Sequence, residues 1–326
     1  MMKKYMLSVL ILYSCLHAIS LDKAIELTVA NEPSLLSMEY QSKAKAKDID
    51  IAKSKLYPNI SATAGRTNRK YTTNFGDEQR EERFNSYGIN FNMFIYNKEI
   101  YENIAQAKLE HNIQVYRFKS YQNQIISEVV QIFTQALQTK SQIALENAAL
   151  EYENARLAQA KGMLEKNMIS LREYQTVQLQ SYERAISLQK IKNQMQVLLQ
   201  MLSHYTGVEV DSISDKVIID TNVPTIEGVL ESSAQLKLAK ARVEVSKQGV
   251  KTAQSGHYPT LSLQGYYTEF DNDTIYSDYS KDQRISLELK IPLFGGWYVT
   301  SNSEKMRANL ISVSYTHLTL PTKRIV

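Results

Sequence analysis

Residues 51–61 read IAKSKLYPNIS, and residues 252–262 read TAQSGHYPTLS. Ala52 matches Ala253, Ser54 matches Ser255, Tyr57-Pro58 matches Tyr258-Pro259, and Ser61 matches Ser262. The chain therefore repeats itself at an offset of about two hundred residues, the mark of a duplicated structural unit. Each copy follows a stretch (35–56 and 236–255) with Ala, Val, Ile and Leu at helical spacing. In each, the proline removes an amide donor and pushes its predecessor out of the helical region, so a helix ends and an extended run begins.

Both copies continue as a hairpin. After the first Tyr-Pro, Ile60, Ala62 and Ala64 alternate with Ser61, Thr63 and Gly65. A charged loop is expected over 72–82, and the return strand alternates Ile89, Phe91, Met93 and Ile95 with Gly88, Asn90, Asn92 and Phe94. After the second, Leu261, Leu263 and Gly265 alternate with Ser262, Gln264 and Tyr266. The loop is expected over 271–282, and Ile285, Leu287, Leu289, Ile291 and Leu293 alternate with Ser286, Glu288, Lys290 and Pro292. A period of two places the aliphatics on one face and the polar residues on the other. Strands of about nine to thirteen residues have the length a tilted membrane strand needs. Tyr57, Tyr96, Tyr258, Phe294 and Trp297 gather at strand ends, as aromatics do at a water–lipid boundary. Tyr57, Pro58, Tyr258, Pro259 and Trp297 are accordingly the expected membrane-interface residues. Four strands cannot close a barrel alone, so several chains would contribute.

Between the hairpins, 98–160 contains neither Pro nor Gly. Phe118, Tyr121, Ile125, Val129, Ile132 and Ala136 form a stripe along a helix about 95 Å long. The return helix carries two heptad series, Leu188, Met195, Leu202 and Ile191, Leu198, Tyr205, which predict a coiled-coil pair. At the turn, Asn167 suits a left-handed backbone position. Ser170 and Glu173 form a capping box, with Ile169 and Tyr174 as its staple. Gly207 closes the return helix.

The amino terminus reads as an export leader: Lys3 and Lys4, an apolar run over 5–16, then Ala18-Ile19-Ser20, with cleavage expected after Ser20. The alternative is lipidation of Cys15, the one cysteine, within Leu12-Tyr13-Ser14-Cys15. No later stretch is apolar over about 20 residues, so membrane insertion would need a barrel. The net charge of +4 is dispersed and gives no nucleic-acid footprint. The histidines at 17, 111, 204, 257 and 317 are isolated, and no phosphate loop, nucleophile elbow or cysteine pair occurs. Glu81-Glu82 and Asp271-Asn272-Asp273 read as solvated loop residues. No catalytic, cofactor or metal site is expected, and the chain does not read as an enzyme.

This order of elements, with Leu21-Asp22-Lys23-Ala24-Ile25, Asn31-Glu32-Pro33, the two Tyr-Pro pairs and Ile291-Pro292-Leu293-Phe294-Gly295-Gly296, resembles the TolC family of outer-membrane efflux proteins over 21–311. Asn167-Met168-Ile169-Ser170-Leu171 stands where that family usually has Gly-Leu-hydrophobic-Ser. The resemblance implies a mainly α fold with a membrane β-barrel portion. A long coiled-coil hairpin is joined to four strands per chain, and a homotrimer completes a twelve-stranded barrel. It implies a passive export channel of the outer membrane and periplasm, working with a periplasmic adaptor and an inner-membrane pump or ABC exporter. Asn167, Met168, Ile169, Ser170 and Leu171 would then be the adaptor-docking tip. The expected segments are a leader (1–20), a periplasmic helix (21–57), the first hairpin (58–96) and the long helical hairpin (97–207). A linker with the second-repeat helix (208–257), the second hairpin (258–294), the start of a further helix (295–312) and a foreign-looking tail (313–326) follow. Symmetry of the repeat demands a second long hairpin after 312, so truncation is the expectation there. The rival reading is a periplasmic coiled-coil structural or adaptor protein with a soluble β-domain.

Overall fold

The computed structural model describes residues 18–72, 79–214, 225, 228–229, 232–272 and 281–318. Most of the expected leader, the loop tips 73–78 and 273–280, and the tail from 319 lie outside the described residues. The elements are α1 (Leu21–Asn31), α2 (Pro33–Ser54), β1 (Asn59–Thr72), β2 (Gln79–Asn97), α3 (Lys98–Glu165), α4 (Leu171–Thr206), α5 (Ala234–Gln254), a 3-10 turn at Ser255–His257, β3 (Thr260–Asn272), β4 (Lys281–Lys290) and α6 (Tyr298–Leu318). Contacts divide the chain into two units, 1–39 with 118–225 and 40–117 with 226–326.

In the first unit α3 and α4 form an antiparallel pair. Arg156 donates to Gln180 (3.0 Å) and Ser181 to Asn154 (2.8 Å), Arg184 meets Glu146 at 3.4 Å, and Tyr205 donates to Glu128 (3.0 Å). Partners thus step backward along one helix as they step forward along the other. Leu188, Ile191, Leu198 and Leu202 are buried as the heptads require, and Leu198 and Leu202 join Val129, Phe133 and Ala136 in one cluster. The α3 stripe needs one correction. Phe133, which it omitted, is fully buried, whereas Ile132 only borders the core. Ala24 of α1, Val210 and Ile213 complete this cluster around Phe133, while Ile125, Val129 and Ala136 of the expected stripe stay buried.

In the second unit the four strands form one antiparallel sheet in the order β1-β2-β3-β4. The repeat reappears as identical geometry: Tyr57 N–H donates to the Ser54 carbonyl, and Tyr258 N–H to the Ser255 carbonyl, each at 3.0 Å. The 98–117 segment of α3 lies against α2 through Gln114 to Gln41 (3.2 Å) and against α5 through Gln248, which donates to the Glu102 carbonyl at 3.2 Å. Lys98, 2.7 Å from Glu102, holds that carboxyl below the usual range, with help from Gln248.

The loops are shorter than the sequence suggested. Gln79–Glu82 lie within β2, where Lys70 faces Glu81 across the ladder and opposite charges in facing positions favour its extension, and Asp271–Asn272 lie within β3, paired with Asn85 and Phe84. The final strand stops at Lys290 rather than Leu293, since Pro292 has no donor to continue it. Ile95 does not keep the alternation: the register shifts between Phe94 and Tyr96, a bulge that brings Tyr96 opposite Leu261. The last helix, expected to fade by 312, continues to Leu318, with Ser314 Oγ bonded to the Leu310 carbonyl.

Candidate functional site

Cross-strand register decides which side chains share a face. Ile60 faces Phe91, which faces Gly265, which faces Ile285; Met93 faces Leu263, which faces Leu287; and Leu261 faces Leu289. All lie on one side. Ile285, Leu287 and Leu289 are 80%, 63% and 59% exposed, and Ile60 and Ile89 are exposed as well. Phe91 also fills the gap over Gly265, where an added Cβ would lie 2.8 Å from its ring. Three aliphatic residues alternating on one strand and uncovered by any described residue make a contiguous apolar surface that water does not favour.

The opposite side is polar throughout the same rows. Asn59, Asn92, Gln264 and Ser286 align, as do Ser61, Asn90, Tyr266 and Arg284. Gln264 donates to Glu288 at 3.1 Å, Tyr266 donates to Asp282 at 2.9 Å, and the Arg284 guanidinium lies 5.9 Å from the Tyr266 ring centre. These bonds pass from strand to strand, so the polar groups satisfy one another while still facing solvent.

The apolar face has two borders. At the helix-proximal border are Tyr57, Tyr258, Tyr96, Phe294 and Trp297, all exposed. Phe294 and Trp297 meet edge to face at 6.0 Å. Trp297 sits with φ at 64°, next to Gly296 at 62°. A left-handed conformation costs a non-glycine residue about 1–2 kcal/mol, and this turn accepts it while holding the indole outward. The other border was missed in the sequence. On the apolar face Tyr267 stands opposite Ile89, and in the next row Tyr87 stands opposite Glu269, which faces Lys281; Arg83 lies further along β2. Tyr267 points its hydroxyl to Glu269 at 3.2 Å. Tyr87 and Tyr267 lie mid-strand, so only the change from aliphatic to charged neighbours across three strands marks them as a boundary. From Tyr258 to Tyr267, at roughly 3.3 Å per residue and a tilt near 40°, the band is about 23 Å tall, close to the ~25 Å of membrane barrels. Of the residues expected at the membrane interface, Tyr57 and Pro58 directly precede β1, Tyr258 and Pro259 directly precede β3, and Trp297 lies in the turn after β4.

The turn of the helical pair follows its reading closely. Asn167 is left-handed (φ 56°), and Met168 N–H closes onto the Met163 carbonyl at 2.8 Å. Ser170 Oγ accepts from Glu173 N–H (3.2 Å) while Glu173 accepts from Ser170 N–H (2.7 Å). That backbone bond, and then the Ser170 hydroxyl, holds the Glu173 carboxyl below its usual range. Ile169 and Tyr174 are half-buried; Asn167, Met168, Ser170 and Leu171 are exposed. The turn is thus rigid in backbone and apolar at its tip. Among the described residues no group of three or more His, Cys, Asp or Glu side chains could hold a metal. No described helix is long and apolar enough to cross a membrane.

A family described as outer membrane efflux protein matches residues 24–208. The chain is 24% identical over 303 residues to outer membrane protein TolC of Vibrio cholerae, covering 87% of this chain and 67% of the relative. It is 21% identical over 291 residues to protein CyaE of Bordetella pertussis, covering 86% and 61%. It therefore spans about two thirds of the length of these relatives. Its fold is similar to that of the Campylobacter jejuni CmeC outer membrane channel, with a TM-score of 0.80 at 16% identity over 91% of this chain and 66% of that one.

Proposed function

The chain belongs to the outer membrane efflux protein family, and from that premise we propose that it serves as the outer-membrane channel component of a tripartite efflux or type I secretion system. The observation that carries this is the sheet with an aliphatic face between two aromatic borders and a hydrogen-bonded polar face behind it. Lipid suits the first face and a water-filled lumen the second. β1 and β4 form the two edges of the sheet. An edge is tolerated in a membrane only when paired. Joining β4 of one copy to β1 of the next is a head-to-tail contact that closes a ring, and the family resemblance sets that ring at three copies. Export through it is passive, the energy coming from an inner-membrane pump or ABC exporter. The tip residues Asn167, Met168, Ile169, Ser170 and Leu171 are the surface for the periplasmic adaptor: Met168 and Leu171 offer apolar contact on a backbone fixed by the capping box.

Fractionation tests the reading. The protein is expected in the outer membrane, released by detergent but not by salt, and cross-linked as a trimer through cysteines introduced on β1 and β4. A salt-soluble periplasmic monomer would instead support the coiled-coil rival. Met168→Asp is expected to reduce cross-linking to the adaptor without reducing the trimer.

A further inference from the structure

We infer that maturation of the exported chain breaks the peptide bond between Ala18 and Ile19, so that Ile19 and Ser20 remain with the mature protein. The inference rests on residues 1–18 being an export leader. The cut that best matches small-residue spacing lies two residues later, after Ser20. The structure shows what that later cut would remove.

Ile19 lies beside Ile213 in a parallel β-bridge. Its N–H donates to the Ser212 carbonyl at 3.1 Å, and its carbonyl accepts from Ser214 N–H at 2.9 Å. Its side chain packs on the cluster that holds Val129, Phe133 and Leu202, and Ile213 itself is almost fully buried. Ser20 is the N-cap of α1: Oγ accepts from Lys23 N–H at 3.3 Å, and the carbonyl accepts from Ala24 N–H at 2.9 Å. Cleavage after Ser20 would lose all four bonds. It would uncover one flank of Ile213 and place a new α-ammonium on Leu21, at the positive end of the α1 dipole.

Cleavage before Ile19 keeps every one of these contacts. Water adds across the Ala18–Ile19 bond, leaving a carboxylate on the departing leader and an α-ammonium on Ile19. That ammonium still carries N–H groups to donate to the Ser212 carbonyl. Ala18 supplies the small residue required before the cut and is exposed, beyond the last residue of the bridge. The sequence rule alone favours Ser20 because Ala18 then fills the second small position. The packing of residues 19 and 20 argues for the cut that spares them.

The test is the intact mass and amino-terminal sequence of the full chain recovered from outer membranes. Ile19 is expected as the first residue. Leu21 as the first residue overturns the inference while leaving the leader itself in place, and so does an acylated Cys15. A chain beginning at Met1 overturns the leader as well. A second measurement does not depend on folding: Ser20→Lys puts a long charged side chain directly before a cut after Ser20 but beyond a cut after Ala18. Processing as complete as in the parent is expected, and accumulation of precursor would overturn the assignment.

Discussion

The side-chain amide of Asn31 donates a 2.8 Å hydrogen bond to the carbonyl of Thr206, joining the end of the first helix to the end of the long return helix. The last carbonyls of a helix have no intrahelical partner, so this bond answers a need created by ending α4 at that point. Gly207 follows with φ at 70°, and a Cβ placed there would lie 3.0 Å from Asn31 Cβ. Asn31→Ala leaves a carbonyl short of a partner and should cost about 1–3 kcal/mol. Gly207→Ala meets both the left-handed strain and the Asn31 side chain and should cost at least about 1 kcal/mol. Thermal unfolding followed by circular dichroism checks both; an unchanged midpoint for either would show that this joint contributes nothing to stability.

Phe133 is expected to dominate the core of its unit. Phe133→Ala should destabilise by about 3–5 kcal/mol, since a fully buried aromatic leaves a cavity its neighbours cannot fill. Ile132→Ala, at the edge of that cluster, should cost clearly less. Denaturant titration of the two variants gives the comparison, and equal losses would show the buried line of α3 to be misplaced.

The two faces of β4 make a sharper contrast. Leu287 faces Leu263 in the middle of the aliphatic band, whereas Ser286 faces Gln264 on the polar side. Leu287→Arg should sharply lower the amount recovered in the outer membrane, because a cation near the bilayer midplane costs about 2–4 kcal/mol. Ser286→Arg, one residue away, should leave recovery near normal. Equal effects would mean that the two faces do not meet different solvents.

Tyr205 gives an alkaline signature. Burial first, and then its bond to Glu128 at 3.0 Å, raise the phenol above its ordinary value of about 10. The unfolded chain therefore ionises this group first as pH rises. Its contribution to stability is whole below about pH 10 and declines as pH climbs through the folded value. Melting temperatures recorded through the alkaline range should fall less steeply for Tyr205→Phe than for the parent; parallel curves would refute the link.

At the tip the sign is reversed. Ser170 holds the Glu173 carboxyl low, so the capping box is intact above the ordinary carboxylate range near 4.3 and is lost as pH falls through the lower folded value. Amide protection at 171–174 should be reduced by Ser170→Ala at neutral pH and in the parent only under acid. Protection that ignores both changes would show that the turn is held by something else.

Whatever depends on short periods and local sterics was legible in the order of residues alone. The Tyr-Pro breaks, the two-residue alternation of the hairpins, the heptads from Leu188 to Tyr205 and the capping box at Ser170 all appear where neighbouring residues alone require them. Features set by partners far away in the chain emerged with the fold. The bulge at Ile95 depends on how β2 meets β3, and the burial of Phe133 depends on Ala24 and Ile213 closing over α3. Tyr87 and Tyr267 become a border only when strands are laid side by side, and Ile19 becomes structural only through Ser212 and Ser214. Periodicity tells a residue which way to face, but register and docking, which arise from contacts between distant segments, decide what it faces.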